Sequence, residues 1–311
     1  MSESPNFDRV ALIGIGLIGS SIARGVRKMG LAKEIVCSAR TADTRRVALE
    51  LGVVDKAFEH SEDAVKDADL VIFCTPVGTY VKIAEEIAPH LMKGAIVSDV
   101  GSVKQTAIDQ IEPFMPEGVS FVAAHPVAGT EKSGPAAGFA ELFYKRWCII
   151  TPSKTSSEAA TARLSAFWTA LGSDVEVMEA RHHDLVLAIT SHVPHLIAYN
   201  IVGTADDLEE VTQSEVIKFS AGGFRDFTRI AASDPTMWRD IFLTNKDAVL
   251  EMLGRFTEDL AALQRAIRWD DGDALFQMFS RTRAIRRQII DAGQETGEPD
   301  FGRAVKPGSD T

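Results

Sequence analysis

The chain has 311 residues, with 33 lysines and arginines against 44 aspartates and glutamates, for a net charge of −11. That balance argues against a nucleic-acid partner. It does not exclude a small anionic substrate, because one local arginine outweighs distant charge that salt screens over about 10 Å. A hydrophobic share of 45% and a charged share of 25% are those of a soluble globular protein, long enough for two domains at roughly 150 residues each. The three cysteines, Cys37, Cys74 and Cys148, form no CxxC pair and lie in apolar runs. They read as free thiols in a reducing cytoplasm. The start of the chain lacks the basic and apolar regions of a signal peptide. No apolar run is expected to reach the ~20 residues that span a bilayer, so no membrane partner is expected.

Taken in order, Arg9 to Ile13 reads as a buried strand, followed at once by Gly14-Ile15-Gly16-Leu17-Ile18-Gly19. A helix is predicted from Leu17 to Met29, stopped by Gly30. The glycines have separate tasks. Gly14 makes the tight turn, Gly16 admits a pyrophosphate, and Gly19 lets helix pack on strand. The phosphates would meet the first free N–H groups of the helix, around Leu17 and Ile18, at the positive end of its dipole. A lone GxGxxG is weak, but between a strand and a helix at the head of the chain it predicts dinucleotide binding.

The second strand, Glu34 to Ser38, is expected to end beside the adenosine ribose. An acid there favours NAD, whereas an arginine accommodates the 2′-phosphate of NADP. The sequence runs Ser38-Ala39-Arg40-Thr41, with no acid before Asp43. This leans toward NADP, with Arg40, Ser38 and Thr41 as contacts. The competing reading makes Arg40 a solvated cation and returns Asp43 to the ribose.

More strands alternate with helices: Leu70 to Cys74 ending in Thr75-Pro76, Ala95 to Val100 ending in Gly101-Ser102, and Phe121 to Ala124 ending in His125-Pro126. Trp147 to Thr151 and Asp174 to Met178 follow. Such alternation predicts a largely parallel sheet with ligands outside the carboxyl ends of its strands. Thr75, Ser102 and His125 all fall there. Pro126 is expected to end regular pairing. Ser102 is also expected to cap a helix through about Ile111, while histidine suits proton traffic near neutral pH.

Beyond Met178 only helices are predicted. Arg181 to Thr204 is apolar, carries His182, His183, His192 and His195, and is interrupted by Pro194. From Lys246 to Arg268 apolar residues recur at Val249, Leu253, Phe256, Leu260, Leu263 and Ile267. Their alternating gaps of four and three form a seam for another helix, most plausibly in a homodimer. A last helix spans roughly Asp273 to Ala292, with Arg281, Arg283, Arg286 and Arg287 on a solvated face or an interface. The tail from Gln294 is rich in Gly, Pro and charge, and is predicted to be disordered.

His192 and His195, three apart, would share a helix face. Without further ligands at metal-site spacing, no metal is expected. Arg225 and Arg229, beside Gly222, Gly223 and Trp238, suit carboxylate recognition. They equally suit surface ion pairs at a helix start, with Asp226 and Asp234 as caps or partners.

Taken together, GIGLIGSS at 14–21, DVGSVK at 99–104, HPVAGTEKSG at 125–134, TSHVPH at 190–195 and GGFRDFTRIAASDPTMWRDIF at 222–242 resemble the prephenate/arogenate (cyclohexadienyl) dehydrogenase family. The resemblance implies an α/β, Rossmann-like, mostly parallel sheet domain (1–179), an all-helical substrate-binding and dimerisation domain (180–293) and a tail (294–311). It implies oxidative decarboxylation of prephenate or arogenate in tyrosine biosynthesis, with hydride transfer to NAD or NADP. Carried over by motif, His125 would hydrogen-bond the ring hydroxyl, and Ser102 would contact that hydroxyl or orient the imidazole. Arg229 would bind the ring carboxylate, and His195, Ser191, Gly222 and Trp238 would line the substrate pocket. Gly14, Gly16 and Gly19 would hold the cofactor, with Thr75 at the nicotinamide end. Family members often carry an acid where Ala39 stands, which puts NAD preference in doubt. No fused mutase or carboxyl-terminal regulatory domain is expected.

Two rivals remain at this level. One is a β-hydroxyacid or imine-reducing dehydrogenase, for which no matching lysine motif is found. The other is a non-catalytic dinucleotide-binding dimer, which would have no use for His125 and Arg229 together.

Overall fold

The computed structural model describes residues 6–130, 132–207 and 221–291. The tail predicted to be disordered and Glu131 of the HPVAGTEKSG motif lie outside the described residues. Contacts divide the chain into two compact units, one ending at Met252 and the other starting at Leu253.

The first unit is built on an eight-stranded sheet in the order β3-β2-β1-β4-β5-β6-β7-β8. The strands are β1 (Phe7–Ile13), β2 (Ala32–Ser38), β3 (Lys56–Phe58), β4 (Leu70–Phe73), β5 (Ile96–Asp99), β6 (Ser120–Pro126), β7 (Trp147–Pro152) and β8 (Asp174–Val177). The short edge strand β3, with only three residues, has too little pattern to announce itself in sequence. All neighbours pair in parallel except β6 with β7. β1 sits between β2 and β4, which makes the strand-order reversal, and hence the ligand crevice, fall at its carboxyl end.

The central strand β4 is apolar throughout because both faces of the sheet are covered. Leu70, Val71, Ile72 and Phe73 are all fully buried. Alternate residues feed two cores. Val10, Leu12 and Ile72 pack with Ile22, Val26, Phe167 and Trp168 on one face. Ala11, Ile13, Val71 and Phe73 pack with Tyr80, Ala84, Ile87 and Ile111 on the other. The covering helices are α1 (Leu17–Met29), α2 (Ala42–Glu50), α3 (Ser61–Ala64), α4 (Tyr80–Ile87), α5 (Lys104–Ile111) and α6 (Glu158–Ala170). Gly30 ends α1 in the left-handed conformation (φ 64°) and donates back to the last turn, as its position predicts.

Two sequence expectations are corrected here. Pro126 does not end pairing: β6 runs through it, with Pro126 opposite Cys148. The next backbone bond comes from Val127 N to Trp147 O, so Pro126 occupies the intervening pair that exchanges no N–H. Ser102 does not cap α5. The helix begins at Lys104 with Val103 at the cap, and its leading N–H groups are taken by Asp184, 80 residues on.

From Ala180 the unit becomes helical. α7 (Ala180–Leu187), a π-helical turn (Ala188–His192) and α8 (Val193–Asp207) form one continuous run. Pro194 does not interrupt it. Val193 N–H reaches back five residues to the Ala188 carbonyl, and this wider turn accommodates a residue with no N–H to give. The run is 28 residues long with a mean hydropathy of 1.5 over its apolar window, enough by length and composition to cross a membrane. This corrects the expectation that no such stretch exists. Three of its polar side chains are nonetheless engaged inside the unit: His183, Asp184 and His192 are buried and hydrogen-bonded to β6, α5 and Asn245 respectively. α9 (Gly222–Thr228), a 3₁₀ turn (Arg229–Ala232) and α10 (Pro235–Thr244) follow, and Asp234 caps α10 by accepting from Met237 N at 2.8 Å.

α11 (Lys246–Arg268) crosses into the second unit, which also holds α12 (Gly272–Asp291). Of the predicted seam, Val249 is buried, whereas Leu260 and Ile267 are exposed. α12 buries none of its residues and leaves Phe276, Phe279, Ile285, Ile289 and Ile290 in solvent.

Candidate active site

The glycine turn is shaped by backbone. Gly14 has φ 98°, a conformation that L side chains rarely adopt, and a Cβ there would lie 2.9 Å from both the Cys74 carbonyl oxygen and Thr75 Cγ2. A Cβ on Gly19 would collide with the Gly14 carbonyl oxygen, whereas one on Gly16 would meet nothing within 4 Å. The two outer glycines therefore serve packing, and the middle one borders open space. Gly16 is the N-cap of α1 without a side-chain cap, and no acid stands in the first turn. Free N–H groups and an uncompensated positive helix end suit a pyrophosphate. Leu17, packed inward, and half-buried Ile18 hold this turn on the core. Thr75, just past β4, accepts from the Thr79 hydroxyl at 2.8 Å, and exposed Pro76 opens the short turn that carries Thr79.

At the ribose end the three expected contacts separate. The Ser38 hydroxyl is buried against Ser61 Oγ at 3.1 Å. The Thr41 hydroxyl caps α2, accepting from Thr44 N and donating to Thr44 Oγ1 at 2.7 Å. Arg40 is exposed. Asp43 pairs with Arg46, which also pairs with Glu50, so its carboxylate is committed to α2.

His125 is the penultimate residue of β6 and is 6% exposed. Its Nδ1 lies 2.8 Å from His183 Nε2, and His183 Nδ1 lies 2.8 Å from Asp184 Oδ1. Asp184 Oδ1 also accepts from Lys104 N at 2.7 Å, and Oδ2 accepts from Gln105 N at 3.0 Å. Beneath them a fully buried ion pair joins Lys104 Nζ to Asp99, and the ammonium also donates to the Ala124 carbonyl at 2.7 Å. Asp99 further accepts from Gly101 N, Tyr80 OH and Ala124 N. Gly101 is pressed so close that a Cβ would stand 2.8 Å from the Tyr80 hydroxyl. This frame fixes the turn that carries half-buried Ser102.

Burial holds the His125 imidazole well below its ordinary range of protonation, helped by the nearby His183, Lys104 and His192. Burial likewise lowers His183, against the pull of Asp184. Both rings are neutral at neutral pH.

A second cluster adjoins the first. Asn245 Nδ2 donates to the Asp184 carbonyl at 2.9 Å and lies 3.0 Å from His192 Nδ1. His192 is fully buried and lowered to about 4, chiefly by desolvation. Trp238 packs edge-on to His192 (6.0 Å between centroids) and stacks on His195 at 3.6 Å and 22°. His195 Nδ1 donates to the Ser191 carbonyl at 2.9 Å. Its pKa is lowered by burial and further by the charge of Arg229. His192, Trp238 and His195 thus form one packed group, joined through Asn245 to Asp184 and so to the His183–His125 pair. Arg225 pairs with Asp226 at 3.8 Å on the surface. Half-buried Gly222 starts α9, where a Cβ would make only ordinary contacts with Asp226 and Arg225.

His183, Asp184 and Asn245 were not singled out by sequence reasoning. The available signal was an adjacent imidazole and carboxylate in an otherwise apolar helix, where buried titratable groups demand partners.

Residues 22–177 match the family described as prephenate dehydrogenase, nucleotide-binding domain, and residues 179–281 match its dimerization domain. The chain belongs to the prephenate dehydrogenase family. It is a nicotinamide-dinucleotide-dependent oxidoreductase of that family, and its glycine turn, which lies ahead of the matched span, fits the cofactor on geometry alone. Among relatives of the family, a cyclohexadienyl dehydrogenase of Zymomonas mobilis is 40% identical, over 90% of this chain and 95% of its own. A prephenate dehydrogenase of Bacillus subtilis is 34% identical, over 90% and 75%. The crystal structure of prephenate dehydrogenase from Aquifex aeolicus in complex with hydroxyphenyl propionate and NAD+ superimposes with a TM-score of 0.85 at 32% identity, covering 91% of this chain and 98% of that one. That of Synechocystis arogenate dehydrogenase gives 0.76 at 25%, covering 90% and 99%.

Proposed function

We propose that the protein oxidatively decarboxylates prephenate, arogenate or both, with His125 facing the ring hydroxyl and Arg229 the ring carboxylate. The observation that carries this reading is His125 near the carboxyl end of β6, with Nδ1 engaged by the His183–Asp184 pair. The packed His192–Trp238–His195 group, whose His195 feels the charge of Arg229, supports it. Aromatisation drives the reaction, so the protein needs neither a covalent nucleophile nor a metal; it must hold the ring and manage one proton.

A nicotinamide dinucleotide held at the turn of Gly14, Gly16 and Gly19 would supply the acceptor for the hydride on the ring carbon that bears the hydroxyl. As that electron pair leaves, the hydroxyl proton becomes acidic, and His125 Nε2, the ring nitrogen not engaged by His183, takes it up. The bond to the ring carboxylate gives its pair to the ring, carbon dioxide departs, and His125 returns the proton to the phenol oxygen. No net proton is released. Ser102, which the cap by Asp184 frees from serving α5, orients the same hydroxyl. Arg229 grips the carboxylate through its fork of donors, and His195, Ser191, Gly222 and Trp238 line the remaining wall.

The cofactor preference is read as NADP, because Arg40 is exposed at the end of β2 while Asp43 is committed to Arg46. The functional division is read at 179/180, close to where one family match ends at 177 and the next begins at 179. The exposed apolar row on α11 and α12 is read as the homodimer surface, in a cytoplasmic enzyme. Rates of nicotinamide reduction with prephenate, arogenate and simple hydroxy acids, each with NAD and NADP, test the substrate and cofactor readings. Turnover of hydroxy acids alone would transfer the protein to the β-hydroxyacid class, and no turnover at all would leave a binding protein.

A further inference from the structure

A neutral imidazole carries its one proton on either ring nitrogen, and the neighbours decide which. His125 can take a proton at Nε2 only if that nitrogen is bare. The selection is traceable to Asp184. Its two oxygens already receive the N–H groups of Lys104 and Gln105, and a carboxylate can only accept. His183 Nδ1, 2.8 Å from Oδ1, must therefore carry the proton. His183 Nε2 is then bare and accepts from His125 Nδ1 at 2.8 Å. One proton remains on His125, at Nδ1, and Nε2 keeps its lone pair.

We propose that Asp184 and His183 are positioning residues that lock His125 in the tautomer with a bare Nε2, through the same carboxylate that seats the start of α5 beside Ser102. This rests on the reading of His125 as the proton acceptor. One carboxylate thus sets the hydrogen-bonding state of one residue at the substrate hydroxyl and the placement of the other. The charged and titratable groups facing the relay are Lys104 from α5, Asp99 from β5 and His192 from the π turn. Lys104 directs its ammonium to Asp99 and the Ala124 carbonyl. When His125 gains the substrate proton, its Nδ1–H and the His183 Nδ1–H both point toward Asp184, whose negative charge offsets the new cation.

The direct measurement is histidine-ring ¹⁵N NMR on the full-length protein at neutral pH. Nitrogen shifts separate protonated from bare ring nitrogens, and His125→Asn and His183→Gln assign the two rings by loss of signal. Both rings are expected to be protonated at Nδ1 and bare at Nε2. His125 protonated at Nε2 overturns the proposal, whatever the substrate proves to be. The kinetic arm uses Asp184→Asn, whose amide can turn its NH₂ toward His183 and reverse both tautomers. The expected result is a fall in kcat on the order of 10²–10⁴-fold, the usual worth of a general base, with KM within about threefold. Because Asp184 also caps α5, a second pair is compared. His183→Gln can still accept from His125 and donate to Asp184, so it should keep kcat within about tenfold, whereas His183→Leu should fall with Asp184→Asn. Equal kcat in the Gln and Leu variants, both folded, overturns the proposal. Absence of activity on prephenate and arogenate in the unmodified protein would instead remove the functional reading and leave the tautomer measurement standing.

Discussion

The glycine turn and the imidazole cluster stand at the same edge of one sheet and are built by opposite means. The turn is local: three glycines within six residues shape it, and each can be assigned a task from the collisions a Cβ would or would not make. The cluster is assembled from β5, α5, β6, α7 and the turn at Asn245, with partners 58 to 80 residues apart in sequence. A backbone site leaves no room at its packed glycines, Gly14 and Gly19, and asks of distant residues only the backbone and Thr75 methyl that close on Gly14. A side-chain site tolerates backbone variation but fails when any one partner is lost.

Substitutions sharpen that contrast. The largest effect is expected for His125→Asn, which should lower kcat by about 10²–10⁴-fold while changing substrate affinity little. An unchanged kcat would end the proton role. Gly19→Ala, which forces a Cβ against the Gly14 carbonyl, should weaken dinucleotide binding by at least about tenfold and lower Tm, because backbone rather than a flexible side chain must yield. Titration of the nucleotide by fluorescence reads this, and wild-type affinity would mean that the turn is not the cradle. Arg229→Lys should raise KM roughly tenfold with kcat nearly kept, since the bidentate fork is lost while the charge remains. Arg40→Gln should cut kcat/KM for NADP severalfold and leave NAD unaffected.

Acid provides a milder probe of the cluster alone. A histidine whose folded pKa lies below its unfolded value binds fewer protons folded than unfolded, so stability falls as pH drops below the unfolded value. For His192 that window runs from 6.5 down to about 4, and His125, His183 and His195 shift in the same direction. Tm should therefore fall progressively below pH 6.5. His192→Gln should flatten part of that slope, as followed by thermal melts between pH 7 and pH 4.5.

What sequence revealed follows the same division. Alternating apolar strands and helices, the GxGxxG between them and the Gly30 stop are short-range signals, and α1 and α11 appear with the bounds their periodicity predicts. Ser102 was misread as a cap because capping was sought among the residues just before α5, while the group that performs it arrives from α7. Pro126 was misread because pairing order depends on which neighbour is antiparallel, which composition does not encode. His183 and Asp184 were overlooked for the same reason. A hydrogen-bond chain closed across the fold leaves no spacing to read.

The loop after β2 has a different consequence. Core packing ends at Ala39, and the Arg40 and Thr41 side chains face solvent. Exchanging Thr41 removes the cap of α2, but exchanging Arg40 disturbs no interior contact. If Arg40 reads the 2′-phosphate, as proposed, the choice between phosphorylated and plain dinucleotide can drift over evolutionary time, or be redesigned at the bench, without first securing a more robust scaffold. The machinery that handles the ring has no such freedom, and the two specificities of the enzyme should evolve at very different speeds.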